Sequence, residues 1–258
     1  MVGLNMGTHP SPRQGLEAVL KSIPGAPLVV LITGHPDPDA LGSALAHQRI
    51  CQELGVPCTI ANVLPVSHRQ NRAMVKLLNI EMMQVTSGDD LASFRYLSLV
   101  DTSTPEPTID IPADLKLLTV ADHHKPAEVD APFADIRPHM GASCSIYAEY
   151  MAQGLAPLES AMGASRVATA LLFGIQTDTN DFQLATAADF SAAAYVRRFC
   201  DSDVLKRVGS NAKLGSARRY RVTVGVRADQ QGRRECLQLT MSLLHTGLPC
   251  ESQLFACA

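Results

Sequence analysis

The stretch Leu28–Ser43, LVVLITGHPDPDALGS, constrains the chain most. An unbroken apolar or β-branched run from Leu28 to Thr33 stops at Gly34. Such a run, ended by glycine, suits a strand buried on both faces of a parallel sheet. His35, Asp37 and Asp39 follow at alternate positions, stiffened by Pro36 and Pro38. From Ala40 to Leu54 the pattern turns helical, with Leu41, Ala44, Leu45 and Ile50 on one face. An imidazole and two carboxylates therefore occupy the turn at the carboxyl end of a core strand, where open α/β sheets bind ligands. Alternate residues of a near-extended segment cannot all point one way, so the triplet can feed more than one cation. A loop that merely caps a helix would account for one His and one Asp, but not for this triplet behind such a strand.

The same grammar continues along the chain. Ser11-Pro12 starts a helix that runs to about Ser22. Gly55-Val56-Pro57 is a turn and Cys58–Val63 a second strand, completing a βαβ unit whose crossover is right-handed. His68–Leu78 reads as a helix with one polar side, on which Asn71 and Arg72 are assigned to a solvated face. A short strand over Met82–Val85 precedes a short helix from Ser87. Tyr96–Val100 is a third core strand ending at Asp101, and Leu115–Val120 a fourth ending at Asp122-His123-His124, with a Pro-rich connection over 104–114. Gly141-Ala142-Ser143 opens a helix to about Gln153. Another helix spans Ala161–Phe173, and Gly174–Asn180, which carries Asp178, reads as a sharp turn. Thr186-Ala-Ala-Asp189 is a capping box for a helix to about Arg198. The expected fold class is α/β, a largely parallel sheet with helices on both faces over residues 1–200. Residues 201–258 are expected to be a short C-terminal appendage in which Tyr220–Val226 and Cys236–Leu243 can pair.

A formal charge of −3 excludes a basic nucleic-acid surface, so no long duplex is expected as a partner. The seven cysteines are scattered, with no zinc-site spacing, and read as reduced thiols of a cytoplasmic protein. No run approaches the ~18 apolar residues of a membrane span, so no membrane partner is expected. The first residues lack the basic-then-apolar pattern of a signal peptide.

Three predicted strands thus end in acidic or His residues: His35/Asp37/Asp39, Asp101, and Asp122/His123/His124. Parallel strand ends lie side by side, so these groups converge on one rim, and carboxylates that close are costly without cations. Mixed His and carboxylate donors suit Mn²⁺, with Mg²⁺, Co²⁺ or Zn²⁺ as competitors.

The segments HPDPDALGS, LVD, ADHHK and GIQTDTNDF resemble, in order, the four motifs of the DHH phosphoesterase family, RecJ-like and of the oligoribonuclease/pAp phosphatase type, over roughly residues 12–200. One residue separates His35 from Asp37, as in RecJ-like members, where other branches place three. The resemblance implies the Rossmann-like three-layer catalytic domain of that family. It implies that His35, Asp37 and Asp101 hold one Mn²⁺, and that Asp39, Asp101, His123 and Asp178 hold a second, with Asp101 bridging. A water between the ions would attack phosphorus in line. His124 would contact phosphate, and Asp122 would orient His123. Arg137, His139 and Ser143 stand in a segment near substrate in the family, just before a helix start suited to phosphate. The family's second, substrate-gripping domain, with its glycine-rich motif, has no counterpart in the 58 residues after Cys200. The leading expectation is a manganese-dependent phosphoesterase acting on short oligonucleotides or small nucleotides, with a homodimer allowed for. The alternatives are a non-catalytic metal- or nucleotide-binding module and, more weakly, an inorganic pyrophosphatase.

Overall fold

Leu28–Ile32 forms strand β1, and all five residues are buried. In the computed structural model, which describes residues 11–105, 107–125, 128–160, 163–210, 220–228, 235–243 and 251–256, β1 lies between β2 (Cys58–Asn62) and β4 (Tyr96–Val100). With β3 (Met83–Gln84), β5 (Lys116–Asp122) and β6 (Phe133–Ile136) these strands make a six-stranded sheet in the order β3-β2-β1-β4-β5-β6, parallel throughout. The order reverses between β1 and β4. That is the topological switch point of a doubly wound sheet, where the two flanking connections leave in opposite directions and open a crevice beyond the carboxyl ends.

Alternation along β1 sends Leu28, Val30 and Ile32 to one core and Val29 and Leu31 to the other. The first core is covered by α1 (Pro12–Lys21), α2 (Pro38–Glu53), α3 (Arg69–Leu77), α4 (Ser143–Ala152), α5 (Ala164–Asp178) and α6 (Ala187–Arg197). The second is covered by the 3-10 turn Gly88–Leu91 and by loops carrying Phe94, Ile109, Ile111 and Val129. The parallel α/β sheet covered on both faces is as expected, and among the described residues the second cover is the 3-10 turn and loops rather than α-helices.

Three further elements differ from the sequence reading. Strand β6 went unread because its four residues, sandwiched in a Pro-rich stretch, carry only an alternating half-buried pattern. Gly174–Asp178 is not a turn: α5 continues to Asp178. Glycine there does not break the helix, because its missing side chain is what lets α5 approach α2. A Cβ at Gly174 would meet Cys144 Sγ at 2.5 Å and the Pro38 carbonyl oxygen at 3.0 Å. The turn follows the C-cap Thr179, where Asn180, Asp181 and Phe182 all take positive φ. Helix α7 (Ser202–Ser210) lies at the start of residues 201–258, where the sequence reading places only two strands.

The chain divides into two compact units, residues 1–208 and 209–258. In the second, β7 (Tyr220–Ala228), β8 (Glu235–Leu243) and β9 (Glu251–Ala256) form an antiparallel sheet in that order. Strand β9 falls in a tail without a readable pattern. Among the described residues, no helix is long and apolar enough to cross a membrane.

Candidate metal centre

The loops leaving β1, β4 and β5 meet at the switch point, and the end of α5 closes over them. Asp37 is the N-cap of α2, its carboxylate accepting from Ala40 N at 2.9 Å. Asp39 lies in the first turn of α2 and is fully buried. Its two oxygens accept the backbone N–H groups of Ser143 (2.6 Å) and Cys144 (2.8 Å). It thus caps α4 from another element, where the N-cap Ala142 has no side-chain acceptor to offer. Asp101 follows β4 in the left-handed region (φ 60°), a conformation Asp tolerates better than most residues. It accepts from Ser143 Oγ at 3.0 Å.

His123 sits at the centre. Its Nδ1 faces the Met140 carbonyl at 3.3 Å, and a carbonyl only accepts, so Nδ1 carries the hydrogen. The Nε2 lone pair is then aimed at carboxylates: Asp178 at 3.0 Å, Asp101 at 3.4 Å and Asp39 at 3.8 Å. Nε2 is buried, yet it stands in hydrogen-bond geometry with none of them. A lone pair facing three anions is tolerable only with a second proton or a cation between them. The protein's charges show the same need. Burial, with the charges of Asp101 and Asp178, pushes the Asp39 carboxyl well above the usual range. Burial and nearby carboxylates lift Asp37 and Asp101 to about 6 each. Burial alone would lower His123, but Asp101 and Asp178 outweigh it and push it up to about 11.

Two sets of donors converge to within 4.8 Å: Asp39, His123 and Asp178, and Asp101, His123 and His124. Hard carboxylate oxygens with one or two imidazoles fit a divalent cation of the Mn²⁺ or Mg²⁺ kind. His35 and Asp37 belong to neither set. The His35 ring is exposed, and its Nδ1 faces the Pro65 carbonyl at 3.2 Å.

The model of the DHH family, N-terminal domain, matches residues 29–175. The chain belongs to the DHH family. It is 35% identical over 186 residues to an uncharacterized protein of Methanocaldococcus jannaschii, covering 71% of this chain and 37% of that protein. It is 24% identical over 200 residues to a "Probable manganese-dependent inorganic pyrophosphatase" of Clostridium acetobutylicum, covering 73% of this chain and 60% of that one. An exopolyphosphatase-related protein from Bacteroides fragilis shares the fold, with a TM-score of 0.58 at 14% identity, over 76% of this chain and 60% of the other. The chain therefore spans 37% to 60% of the length of these relatives.

The motif that names the DHH family works differently from the sequence expectation. Asp122 does not orient His123. Its Oδ1 accepts from His124, from the backbone N at 3.1 Å and from Nδ1 at 2.8 Å. Side chains alternate across a strand, so the last residue of β5 shares a side with the residue two further on, and His123 turns to Met140 instead. Ser143 is not poised for substrate. It is fully buried and ties Asp39 to Asp101. Arg137 is also committed: it is bidentate to Asp135 (2.8 and 2.7 Å) and pairs with Glu149 at 2.9 Å, leaving no free fork for phosphate. His139 is exposed in the turn between β6 and α4. Asp189 was read only as a helix cap, yet both its oxygens also accept from Gly141 N. It thereby anchors the loop that carries Met140. Its capping box was legible, but the second, long-range bond was not.

Proposed function

We propose that this chain is a manganese-dependent phosphoesterase, cleaving phosphodiester or phosphomonoester bonds of short oligonucleotides or small nucleotides. The observation that carries the reading is the buried His123 Nε2, ringed by Asp178, Asp101 and Asp39 at 3.0, 3.4 and 3.8 Å without a hydrogen bond to any of them. Asp39, Asp101, His123 and Asp178 would hold one ion, and His35, Asp37 and Asp101 a second. When bound, the ions supply charge neutralisation at phosphorus and a water nucleophile at neutral pH. The chain's own residues supply the rest. Asp122 Oδ1 takes the Nδ1 hydrogen of His124, so Nε2 is the free nitrogen of that ring. The His124 side chain is 60% exposed beside the buried cluster; carrying a second proton on Nε2, it would donate to a non-bridging phosphate oxygen or give that proton to the leaving oxygen, returning to the neutral ring. Met140 O fixes the His123 ring, and Ser143 holds the Asp39 and Asp101 carboxylates at their separation.

A second reading, hydrolysis of inorganic pyrophosphate, is favoured by the name of the Clostridium acetobutylicum relative. The non-catalytic module remains the alternative of a different class. One Mn²⁺-supplemented screen separates all three: a dinucleotide, pAp, a cyclic dinucleotide and pyrophosphate. Release of mononucleotide or phosphate from the nucleotides is the expected result. Turnover of pyrophosphate alone selects the second reading, and Mn²⁺ binding without any turnover selects the module.

A further inference from the structure

The polar side of α3, with Asn71 and Arg72, reads in the sequence as a solvated face, and its exposed Arg69, Arg72 and Lys76 agree with that. Asn71 does not. It is buried to 6% exposure, and its Nδ2 donates to the Pro36 carbonyl oxygen at 2.9 Å, across 35 residues of sequence. Pro36 stands between His35 and Asp37. The segment before α3 grips the same turn a second time: the Pro65 carbonyl faces His35 Nδ1 at 3.2 Å, which leaves His35 Nε2 as the nitrogen free to bind. That segment is itself held from α3, because Arg72 Nη1 donates to the carbonyls of Val66 (3.5 Å) and Ser67.

The two halves of the metal centre therefore differ in support. Asp39, His123 and Asp178 already converge and are braced by α4, Met140 and α5. His35 and Asp37 lie outside that convergence, on a turn whose two prolines have no N–H to pin it. Its outward carbonyl is what the rest of the fold can hold, and Asn71 holds it.

We propose that Asn71 is a positioning residue for one half of the metal centre: it locks the His35–Asp37 turn so that these two side chains can hold an ion beside the one held by Asp39, His123 and Asp178. Residues that orient ligands from behind typically contribute roughly 10- to 100-fold in metal affinity. A residue that only filled space in the fold would weaken both ions together.

The test is Mn²⁺ titration of the full chain by calorimetry and by electron paramagnetic resonance, comparing wild type with Asn71→Leu and with Asn71→Asp. The first keeps the volume and removes the donor. The second keeps the shape and replaces the donor with an acceptor. The expected result is one ion bound with wild-type affinity and the second weakened roughly 10- to 100-fold, so that the spin-coupled two-manganese signal needs correspondingly more Mn²⁺. The metal-free melting temperature is read alongside. Wild-type behaviour of both ions in both variants overturns the positioning role while leaving the metal centre intact. Equal weakening of both ions, in step with a lowered melting temperature, also overturns it in favour of simple packing. Absence of Mn²⁺ binding by the wild type overturns this inference and the proposed function together.

Discussion

Asp101 has the greatest leverage of the candidate ligands, because it alone belongs to both proposed ion sites and is fixed from two sides: its backbone N–H donates to the Ala121 carbonyl of β5 at 2.9 Å, and its carboxylate accepts from Ser143 Oγ at 3.0 Å. Asn tolerates the same left-handed backbone, so Asp101→Asn isolates the loss of charge. It should weaken both ions, and any turnover should fall by orders of magnitude. His124→Ala should leave Mn²⁺ binding unchanged and lower turnover, roughly 100-fold or more for the loss of one proton-transfer group. Calorimetric titration with a turnover assay checks both, and lost binding in His124→Ala would make His124 a ligand rather than a substrate contact. The same residues set the pH response. Asp37 and Asp101 have folded pKa values near 6, above the ordinary 3.8, so the folded state binds more protons than the unfolded one. Their contribution to metal-free stability is therefore fully present below 3.8 and lost as pH rises through about 6. His123 behaves alike in sign: its contribution is present below 6.5 and lost as pH rises through about 11. Mn²⁺ must displace these protons, so its affinity should climb from about pH 5 to about pH 7, and binding at pH 7 should release protons. Titration in buffers of different ionisation enthalpy measures that release, and a proton count of zero would contradict the ligand set.

At the scale of elements, the close approach of α2 and α5 puts Asp39 and Asp178 within reach of one imidazole. Two glycines permit it. A Cβ at Gly42 would lie 2.6 Å from Cys144 Sγ and 2.9 Å from the Ala170 carbonyl oxygen, and one at Gly174 would lie 3.1 Å from Asp39 Cα. Neither helix can yield without moving a ligand. Gly174→Ala should therefore destabilise the protein by about 1–3 kcal/mol, as overpacking does, despite alanine's better helix propensity. It should also weaken Mn²⁺ binding, because the Pro38 carbonyl oxygen at 3.0 Å and Asp39 Cα at 3.1 Å would have to move. Urea denaturation reads the first effect and calorimetry the second. A rise in stability would show that the helices have room to part. Glycine inside an apolar helical pattern was read as a stop, because sequence carries the cost of glycine but not the neighbour that requires it. The three left-handed residues after Asp178 have the same origin. Asp181 N donates to Gln176 O at 2.7 Å and Leu184 N to Thr179 O at 2.9 Å, so the turn is closed by bonds back onto α5.

At the scale of the molecule, every candidate ligand lies between His35 and Asp178, inside the first compact unit. A chain ending at Ser210 should keep the Mn²⁺ affinity of the full chain within about twofold, since carboxylate and imidazole ligands dominate divalent-ion affinity. Loss of binding on truncation would assign residues 211–258 a part in the metal centre.

The sequence by itself determined the four core strands, their parallel arrangement and the rim on which acidic and His residues gather. Those features rest on short-range chemistry: apolar runs that can only be buried, and polar residues at their carboxyl ends. The DHH motifs read from it agree with the family the chain belongs to. What only tertiary structure decided is how the gathered side chains are held. Ser143 and Arg137 look like substrate contacts along the chain, yet they are consumed by Asp39, Asp101, Asp135 and Glu149. Asn71 looks solvated, yet it reaches across 35 residues to the Pro36 carbonyl. These partners are far apart in sequence, and a polar side chain's role is set by the group that meets it, which exists only once the sheet has brought the strand ends together.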